Sequence, residues 1–331
     1  PFFGNMGVSY AGNEKSLTFS SGFIYVNLVS NNGSLIIGLK NNLVKFFALN
    51  NFGTRQSKGF GSFSISKIDN TKQDFPFDLF NYNFSIPSNG NQDLDDFQNL
   101  FKKNEWFNKS IRSGLNEIRG RENYPKLYFK SLLFEYVNKK LKKQWDKKTI
   151  KKHFLETRQE SECEKYEDDI VCNAVKQINQ KELEFIDYRD LLGLSSKEKW
   201  GNDFTLTKTE AKFNNTTLKW EKITNNPDMV RFMSPIRFKI IKSDNNFQIF
   251  IHFDLSSLKA IEDTVLWIEN DAEGFPLLIP NDFDYDAFFD YIINKVEIND
   301  RFIINGDHKD FSMMKNTIIG IFNQLKNNLS L

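Results

Sequence analysis

Short runs of alternating apolar and polar positions fill the first part of the chain, and this pattern predicts strands joined by turns. Residues 23–29 are rich in β-branched and aromatic side chains, as strands are. The Asn-Asn-Gly signal at 31–33 predicts a turn, after which residues 34–39 return as a second strand. Residues 43–49 predict a short helix, and residues 59–65 alternate as a strand would.

The middle of the chain changes from polar to helical patterning. Residues 71–104 are polar and are interrupted by prolines and an Asn-Gly turn signal, which predicts an irregular connection. From about 105 to 195 the apolar period is helical, and one stripe would bury a helix face: Leu133, Val137, Leu141 and Trp145. Residues 154–186 are charged and predict a helix with a solvated face.

Beyond residue 200 the strand patterns return. Residues 238–241 and 247–253 flank a polar turn and predict a hairpin. Residues 284–296 and 315–329 predict helices. The order of these elements predicts an α+β fold in three parts: 1–70, a strand-rich part with a glycine-rich loop; 71–225, a linker and a helical insertion; and 226–331, a second α/β part.

Bulk composition limits how the chain can bind a polyanion. The chain has 331 residues, of which 40% are hydrophobic, so it can build a sizeable core. Lys and Arg number 44 while Asp and Glu number 43, which gives a net charge of +1. A protein that holds nucleic acid by its phosphates alone has a larger basic excess. Any RNA contact must therefore be local, or shared with neighbouring subunits.

Other features bear on location and completeness. No apolar run approaches the roughly 20 residues that span a bilayer, so no membrane association is expected. Cys163 and Cys172 do not make a disulfide scaffold in so long a chain, and we interpret them as reduced thiols of a cytoplasmic protein. The chain begins at Pro1 rather than at Met, so we expect that an N-terminal strand precedes it.

The segment 52–61, Phe-Gly-Thr-Arg-Gln-Ser-Lys-Gly-Phe-Gly, is the strongest candidate for a binding site. Its three glycines permit positive φ angles and leave room for another backbone to approach. Successive amide N–H groups in such a turn can hold an anion, and Arg55 and Lys58 add positive charge. A Walker loop is excluded, because the glycine spacing is wrong and Phe60 stands where the lysine should be. The plain alternative is a structural turn that carries two exposed cations.

Three phenylalanines border this loop: Phe52, Phe60 and Phe63. Their rings either pack into the core and anchor the loop, or offer faces on which bases stack. Core packing is the more common fate of a phenylalanine. Both interpretations stay open at the level of the sequence.

Residues 53–61 resemble the glycine-rich loop of the RAMP superfamily (repeat-associated mysterious proteins), the CRISPR effector subunits with ferredoxin-like folds. The type III branch often shows the form Gly-x-Arg-x-x-Lys/Arg-Gly-Phe-Gly. Two other passages are similar to the same superfamily: Phe-Phe-Gly at 2–4 with Leu-Thr-Phe-Ser at 17–20, and Ser-Pro-x-x-Phe-Lys within 231–239. The resemblance covers the two ends of the chain, and it does not extend to residues 71–225.

The resemblance implies a ferredoxin-like (RRM-like) fold and a structural role in a type III CRISPR ribonucleoprotein of antiviral defence. Its partners would be crRNA or target RNA and the other effector subunits, and neither a catalytic residue nor a metal or cofactor is expected. A subunit like the one that caps the target-binding end of a type III-B complex is the narrower expectation. The implied RNA-binding residues are Gly53, Thr54, Arg55, Gln56, Ser57, Lys58, Gly59, Phe60 and Gly61.

A basic run between residues 139 and 152 is the second candidate for contact with RNA or with a partner. Its lysines flank the predicted apolar helix stripe, and this arrangement is also usual for a solvated helix surface. The candidate residues are Lys142, Lys143, Lys147 and Lys148.

Two alternative functions remain open at this level. Some RAMP relatives cut RNA without metal, by a general base and a cation that stabilises the phosphate. Here His252 or a lysine would take part, although the three histidines form no matched pair: His153, His252 and His308. The other alternative is an assembly or adaptor protein whose loop is purely structural.

One acidic cluster tempts a metal interpretation: Asp282, Asp284 and Asp286. Alternate carboxylates can bind a hard cation, but the spacing of a calcium loop does not continue after them. Acidic residues are also favoured at a helix N-terminus. A helix start therefore explains this cluster better.

Overall fold

The computed structural model describes residues 23–53, 55–89, 94–118, 126–143, 186–193, 197–199, 205–223, 233–243, 245–270 and 273–329. The described residues form five α-helices: α1 (Gly33–Leu49), α2 (Leu94–Arg112), α3 (Leu132–Glu135), α4 (Tyr285–Asn294) and α5 (Lys309–Asn328). They also form thirteen strands: β1 (Lys67–Ile68), β2 (Thr71–Lys72), β3 (Tyr82–Pro87), β4 (Leu115–Ile118), β5 (Lys126–Phe129), β6 (Lys197–Lys199), β7 (Thr205–Asn214), β8 (Lys219–Lys222), β9 (Ile236–Ser243), β10 (Asn246–Phe253), β11 (Val265–Asn270), β12 (Glu273–Leu278) and β13 (Phe302–Asn305).

A three-stranded antiparallel sheet in the order β3-β10-β9 positions the candidate site. Strands β9 and β10 form a hairpin with Ile240 opposite Ile249, which confirms the predicted hairpin. One face of this sheet packs on α2 and α5 through phenylalanine rings. The ring of Phe107 lies 5.0 Å from that of Phe84 and 5.4 Å from that of Phe322. Each such buried ring contributes about 1.5–3 kcal/mol through removal of apolar area from water.

Besides the two-stranded antiparallel sheet of β1 and β2, two larger antiparallel sheets complete the described fold. Strands β12-β11-β7-β6 form one sheet, in which β7 also pairs with β8, and β13-β5-β4 form the other. Helices and antiparallel sheets are thus mixed along the chain, so the predicted α+β class is confirmed. Strand β3 pairs with β10 and strand β5 pairs with β13, so strands distant in sequence share a sheet. The division at residues 70 and 225 stays a prediction.

A buried network of charged side chains fastens the segment before β6 to the sheet. The Lys208 ammonium on β7 is 2% exposed and contacts Asp187, Asp190 and Glu198, with 3.0 Å to the carboxylate of Glu198. Arg189 pairs with Glu198, and Arg112 at the end of α2 donates to the carbonyl of Gly193. Burial raises the pKa of Asp190 well above its usual range. The network therefore links α2 to the sheet of β7.

The predicted N-terminal hairpin is wrong. Residues 34–39 belong to α1, and residues 23–30 form no regular element. Asn32, which the sequence suggested as a turn residue, caps the helix instead, since its side chain accepts a hydrogen bond from the backbone N–H of Leu35 at 3.2 Å. The predicted short helix at 43–49 is the C-terminal half of α1.

The predicted irregular connection at 71–104 is also wrong. It contains β2, β3 and the first half of α2. In β3 the buried Phe84 and Ile86 alternate with the half-buried Asn83 and Ser85, a strand period that lies within an otherwise polar stretch. No strand covers 59–65, where Ser62 makes a single isolated bridge.

Predictions for the later elements have mixed outcomes. Helices α4 and α5 confirm the predictions at 284–296 and 315–329. The region 105–195 is not uniformly helical, because it contains β4 and β5. Its apolar stripe forms α3, which continues as a π-helix, Tyr136–Lys140. Trp145, residues 154–185 of the predicted charged helix and both cysteines lie outside the described residues. Within the described part, no helix has the length and apolar character needed to cross a membrane.

Candidate nucleic-acid interface

The glycine-rich loop is closed at its base by the backbone. The N–H of Phe52 donates to the carbonyl of Gly61 at 3.0 Å, next to a bridge between Asn51 and Ser62. The φ angles of Gly53, Gly59 and Gly61 are +87°, +88° and +69°, as the sequence predicted. Arg55 also has a positive φ of 56° and precedes one turn of 3₁₀ helix, Gln56–Lys58. Thr54 lies outside the described residues.

The loop is seated on the outer edge of β9. The Asn51 amide donates to the carbonyl of Phe238 at 2.8 Å and to that of Gln56 at 2.7 Å. The hydroxyl of Ser62 accepts a hydrogen bond from the backbone N–H of Ile240 at 3.1 Å. Because β9 is an edge strand, these bonds satisfy main-chain groups that would otherwise be unpaired. The loop therefore has a fixed place on the sheet.

The three glycines face different surroundings. A Cβ on Gly61 would lie 1.7 Å from the carbonyl oxygen of Phe52, and one on Gly59 would lie 2.5 Å from a side-chain carbon of Ile240. Both glycines let the loop close against protein. A Cβ on Gly53 would meet no heavy atom within 4 Å among the described residues, so the backbone is open at this position.

Lys239 ties α1, the loop and β9 together, and it is a residue that the sequence analysis did not single out. Its side-chain amine donates to the carbonyls of Phe47 at 2.5 Å and Asn50 at 3.1 Å, and to the side chain of Asn51 at 3.3 Å. Lys239 is 1% exposed, and burial lowers its pKa to about 7. It ends the Ser-Pro-x-x-Phe-Lys passage, so two segments recognised separately in the sequence meet here.

Cations gather between the loop and α2. Lys58 has its pKa lowered, chiefly by burial; Glu105 raises this pKa, and the positive charges of Arg55, Arg112 and Lys109 lower it. The Asn104 amide of α2 donates to the carbonyl of Lys58 at 3.1 Å and joins the two elements. A small cavity of about 40 Å³ lies between them, lined by Arg55, Lys58, Phe60, Phe101, Asn104, Glu105 and Asn108.

The bordering phenylalanines divide between the two interpretations. The ring of Phe60 stacks on that of Phe101 in α2 at 3.9 Å and 16°, so it anchors the loop. Phe52 and Phe63 remain 38% and 40% exposed. Their rings lie 6.1 Å apart, on the side of the loop that continues into α1.

Two family models match the chain. Residues 1–115 match the Cmr1 N-terminal domain, and residues 128–327 match the Cmr1 C-terminal domain. The chain belongs to the Cmr1 family. It is therefore a subunit of a type III-B CRISPR effector complex, and other effector subunits are its partners in antiviral defence. No curated protein and no solved structure matches the chain.

The Cmr1 match confirms the type III CRISPR interpretation of the sequence. It also covers much of the stretch 71–225, where the sequence showed no resemblance. The glycine-rich loop lies within the N-terminal match, and the Ser-Pro-x-x-Phe-Lys passage lies within the C-terminal match. The contacts of Asn51 and Lys239 thus join the two matched regions of this Cmr1-family chain.

The basic run of this Cmr1-family chain is only partly described. Lys143 donates to a carboxylate oxygen of Asp282 at 3.1 Å, and hydrogen bonds to Tyr188 and Asp282 raise its pKa. Lys142 is exposed and has a positive φ of 55°. Lys147 and Lys148 lie outside the described residues, so contact of this run with RNA or a partner stays a prediction.

The acidic cluster begins a helix. The Asp284 side chain accepts a hydrogen bond from the N–H of Ala287 at 2.9 Å and caps α4, while Asp286 lies in its first turn. Asp282 is the partner of Lys143. Among the described residues, no group of three or more His, Cys, Asp and Glu side chains could hold a metal ion.

The two histidines that the structure describes, His252 and His308, make contacts within the fold. Burial, together with the positive charge of Arg237, lowers the pKa of His252 to about 4, so the ring is neutral at neutral pH. Its Nδ1 atom is buried inside the protein, and the ring hydrogen-bonds to the backbone of Leu49. His308 caps α5 by accepting from the N–H of Asp310 at 3.2 Å. His153 lies outside the described residues.

Proposed function

We propose that this chain is a non-catalytic RNA-binding subunit of the type III-B ribonucleoprotein. Its loop at 53–61 and the adjoining face of α2 hold crRNA or target RNA, by contacts to phosphates. The proposal extends to a ferredoxin-like (RRM-like) arrangement and to a place in the cytoplasm, as the RAMP resemblance implies.

The observation that carries the proposal is the set of charges around Lys58. Arg55, Lys109 and Arg112 act on it with the same sign, while Glu105, which pairs with Lys109 at 3.3 Å, opposes them. Like charges repel one another, so gathering them costs free energy that a bound polyanion would recover.

The backbone of the loop supports the same function. Gly53 is open to an approaching chain, while the bonds to β9 hold the rest of the loop in place. A preorganised binding loop loses little conformational entropy when a ligand arrives. A phosphate group can then lie close to the main chain at Gly53 and accept from Arg55.

The experiment measures guide-RNA retention by the assembled complex across salt concentrations. Arg55→Ala with Lys58→Ala removes two cations, so the slope of log affinity against log salt should become shallower by about 1.4. Retention at physiological salt should fall with it. The matched control replaces two exposed lysines outside the loop and α2, Lys259→Ala with Lys295→Ala, and should change neither quantity.

Unchanged retention together with an unchanged slope would remove the loop from the RNA path. Absence of nucleic-acid absorbance from the native complex that contains this chain would instead favour the adaptor function. Cleavage of repeat RNA by the purified chain in chelator would favour the ribonuclease.

A further inference from the structure

An exposed group of aromatic rings continues from the glycine-rich loop onto α1. The Phe52 ring lies 5.1 Å from that of Phe47 and 6.1 Å from those of Phe46 and Phe63. Three of these rings keep large open faces: Phe46 is 50% exposed, Phe63 40% and Phe52 38%. We call this group, Phe46, Phe52 and Phe63, the aromatic platform.

Exposure of clustered phenylalanine rings is costly in water, so such a patch marks a binding surface. An aromatic face suits a planar ligand, and every nucleobase has a π-face that stacks on it. Phe60, whose face is already taken by Phe101, is the contrasting ring of the same loop.

The charge of the surrounding chain also favours RNA over a protein partner. Residues 23–68 contain no Asp or Glu, although the whole chain is almost neutral. The same stretch carries five cations, of which Lys40 pairs with Asp69 just beyond it: Lys40, Lys45, Arg55, Lys58 and Lys67. Lys45 directly precedes Phe46, and Arg55 follows Phe52 by three positions. Rings flanked by cations are the arrangement that holds single strands, with bases on the rings and phosphates on the cations.

We propose that the aromatic platform stacks unpaired bases of the RNA whose phosphates the loop holds. This inference rests on the proposed function and adds a second, salt-independent component to it. Stacking is tolerant of sequence, because the rings contact the face of a base rather than its hydrogen-bonding edge. The platform therefore suits a guide or a target whose sequence varies.

The test compares two single-stranded probes of equal length on the full chain: an unstructured polyuridine RNA and an abasic ribose-phosphate strand. Phe52→Leu with Phe63→Leu should weaken binding of polyuridine by about ten-fold or more at constant salt slope. Binding of the abasic strand should not change, because it offers nothing to stack. Phe52→Tyr with Phe63→Tyr keeps both ring faces and should retain the wild-type affinity.

The control is Phe77→Leu, since Phe77 is 61% exposed but packs in a separate group with Phe75 and Phe250. Equal polyuridine affinity of the wild type and the double leucine variant would overturn the platform, even if Arg55 and Lys58 prove to bind phosphate. Equal weakening on both probes would also overturn it, because the rings would then act through the shape of the loop. Loss of subunit association with unchanged RNA binding would assign the rings to a protein interface.

Discussion

Two glycines of one loop differ in what a side chain would meet, which makes them a matched pair. Both Gly53 and Gly61 have positive φ, so an alanine at either position costs about 1 kcal/mol in backbone strain. At Gly61 the added Cβ would also collide with the carbonyl of Phe52, while at Gly53 the space is open. Gly61 is therefore required by the fold, and Gly53 is available to a ligand.

We predict that Gly61→Ala lowers the free energy of unfolding by more than about 2 kcal/mol, because strain and backbone displacement add. Gly53→Ala should lower it by only about 1 kcal/mol. Chemical denaturation of the two variants measures both quantities. If Gly53→Ala were the more damaging of the two, the described closure of the loop would be wrong.

At the scale of elements, one side chain joins three of them. Lys239 lies on β9. Its amine donates to Phe47 in the last turn of α1, and to Asn50 and Asn51, which connect α1 to the loop. Three oxygens fix the position of this buried lysine, and none of them belongs to a carboxylate. Removing its charge from water therefore costs free energy that no opposite charge offsets. This cost depends on pH, since burial lowers the pKa to about 7 from the usual 10.5.

Between pH 7 and pH 9 the unfolded chain keeps the Lys239 proton that the folded chain releases, so stability should rise with pH. Lys239→Met removes this difference. We predict that the wild type gains about 1 kcal/mol per pH unit over the variant in this window. Urea unfolding of both proteins at several pH values measures the gain, and parallel stability curves would show that Lys239 stays charged.

Elements were predictable from sequence where the deciding signal was local. The β9–β10 hairpin was predicted because its turn lies between two apolar runs. The first half of α1 was predicted as a strand, because the only buried side chain of this helix is Ala48 and its apolar residues show no core-facing period. Strand β3 was missed because its partner β10 lies far along the chain.

The candidate site, too, was predictable from the sequence only where the deciding signal was local. The sequence showed that the three glycines permit positive φ, and all three adopt it. The seat of the loop on β9 depends on the contact between Asn51 and Phe238, which are 187 residues apart. The aromatic platform needs Phe46 of α1, which the sequence analysis placed in a short helix without further role.

At the scale of the whole molecule, the buried network around Lys208 joins helix α2 to the sheet that contains β7. Its three carboxylates come from the segment 187–198, and Arg112 ties that segment to α2 beside the loop. Removing one charge from such a buried network leaves the opposite charges buried without a partner, which is strongly destabilising.

We predict that Lys208→Met lowers the free energy of unfolding by about 3–5 kcal/mol, because the buried Asp187 and Asp190 lose the Lys208 cation while Glu198 keeps its pair with Arg189. Lys212→Met on the same strand is the matched control, since Lys212 is exposed, and it should change stability by less than about 0.5 kcal/mol. Thermal or urea unfolding compares the two. A small effect of Lys208→Met would mean that the carboxylates are protonated or solvated.

The central claim is that RNA lies along the outer surface of the loop. Guide and target RNA that carry 4-thiouridine, assembled into the native complex and irradiated, cross-link to the protein segments that they touch. Mapping of the linked peptides by mass spectrometry should find cross-links between residues 45 and 66, which include the loop and the aromatic platform. Cross-links of this chain confined to other segments, with none in that stretch, would contradict the account.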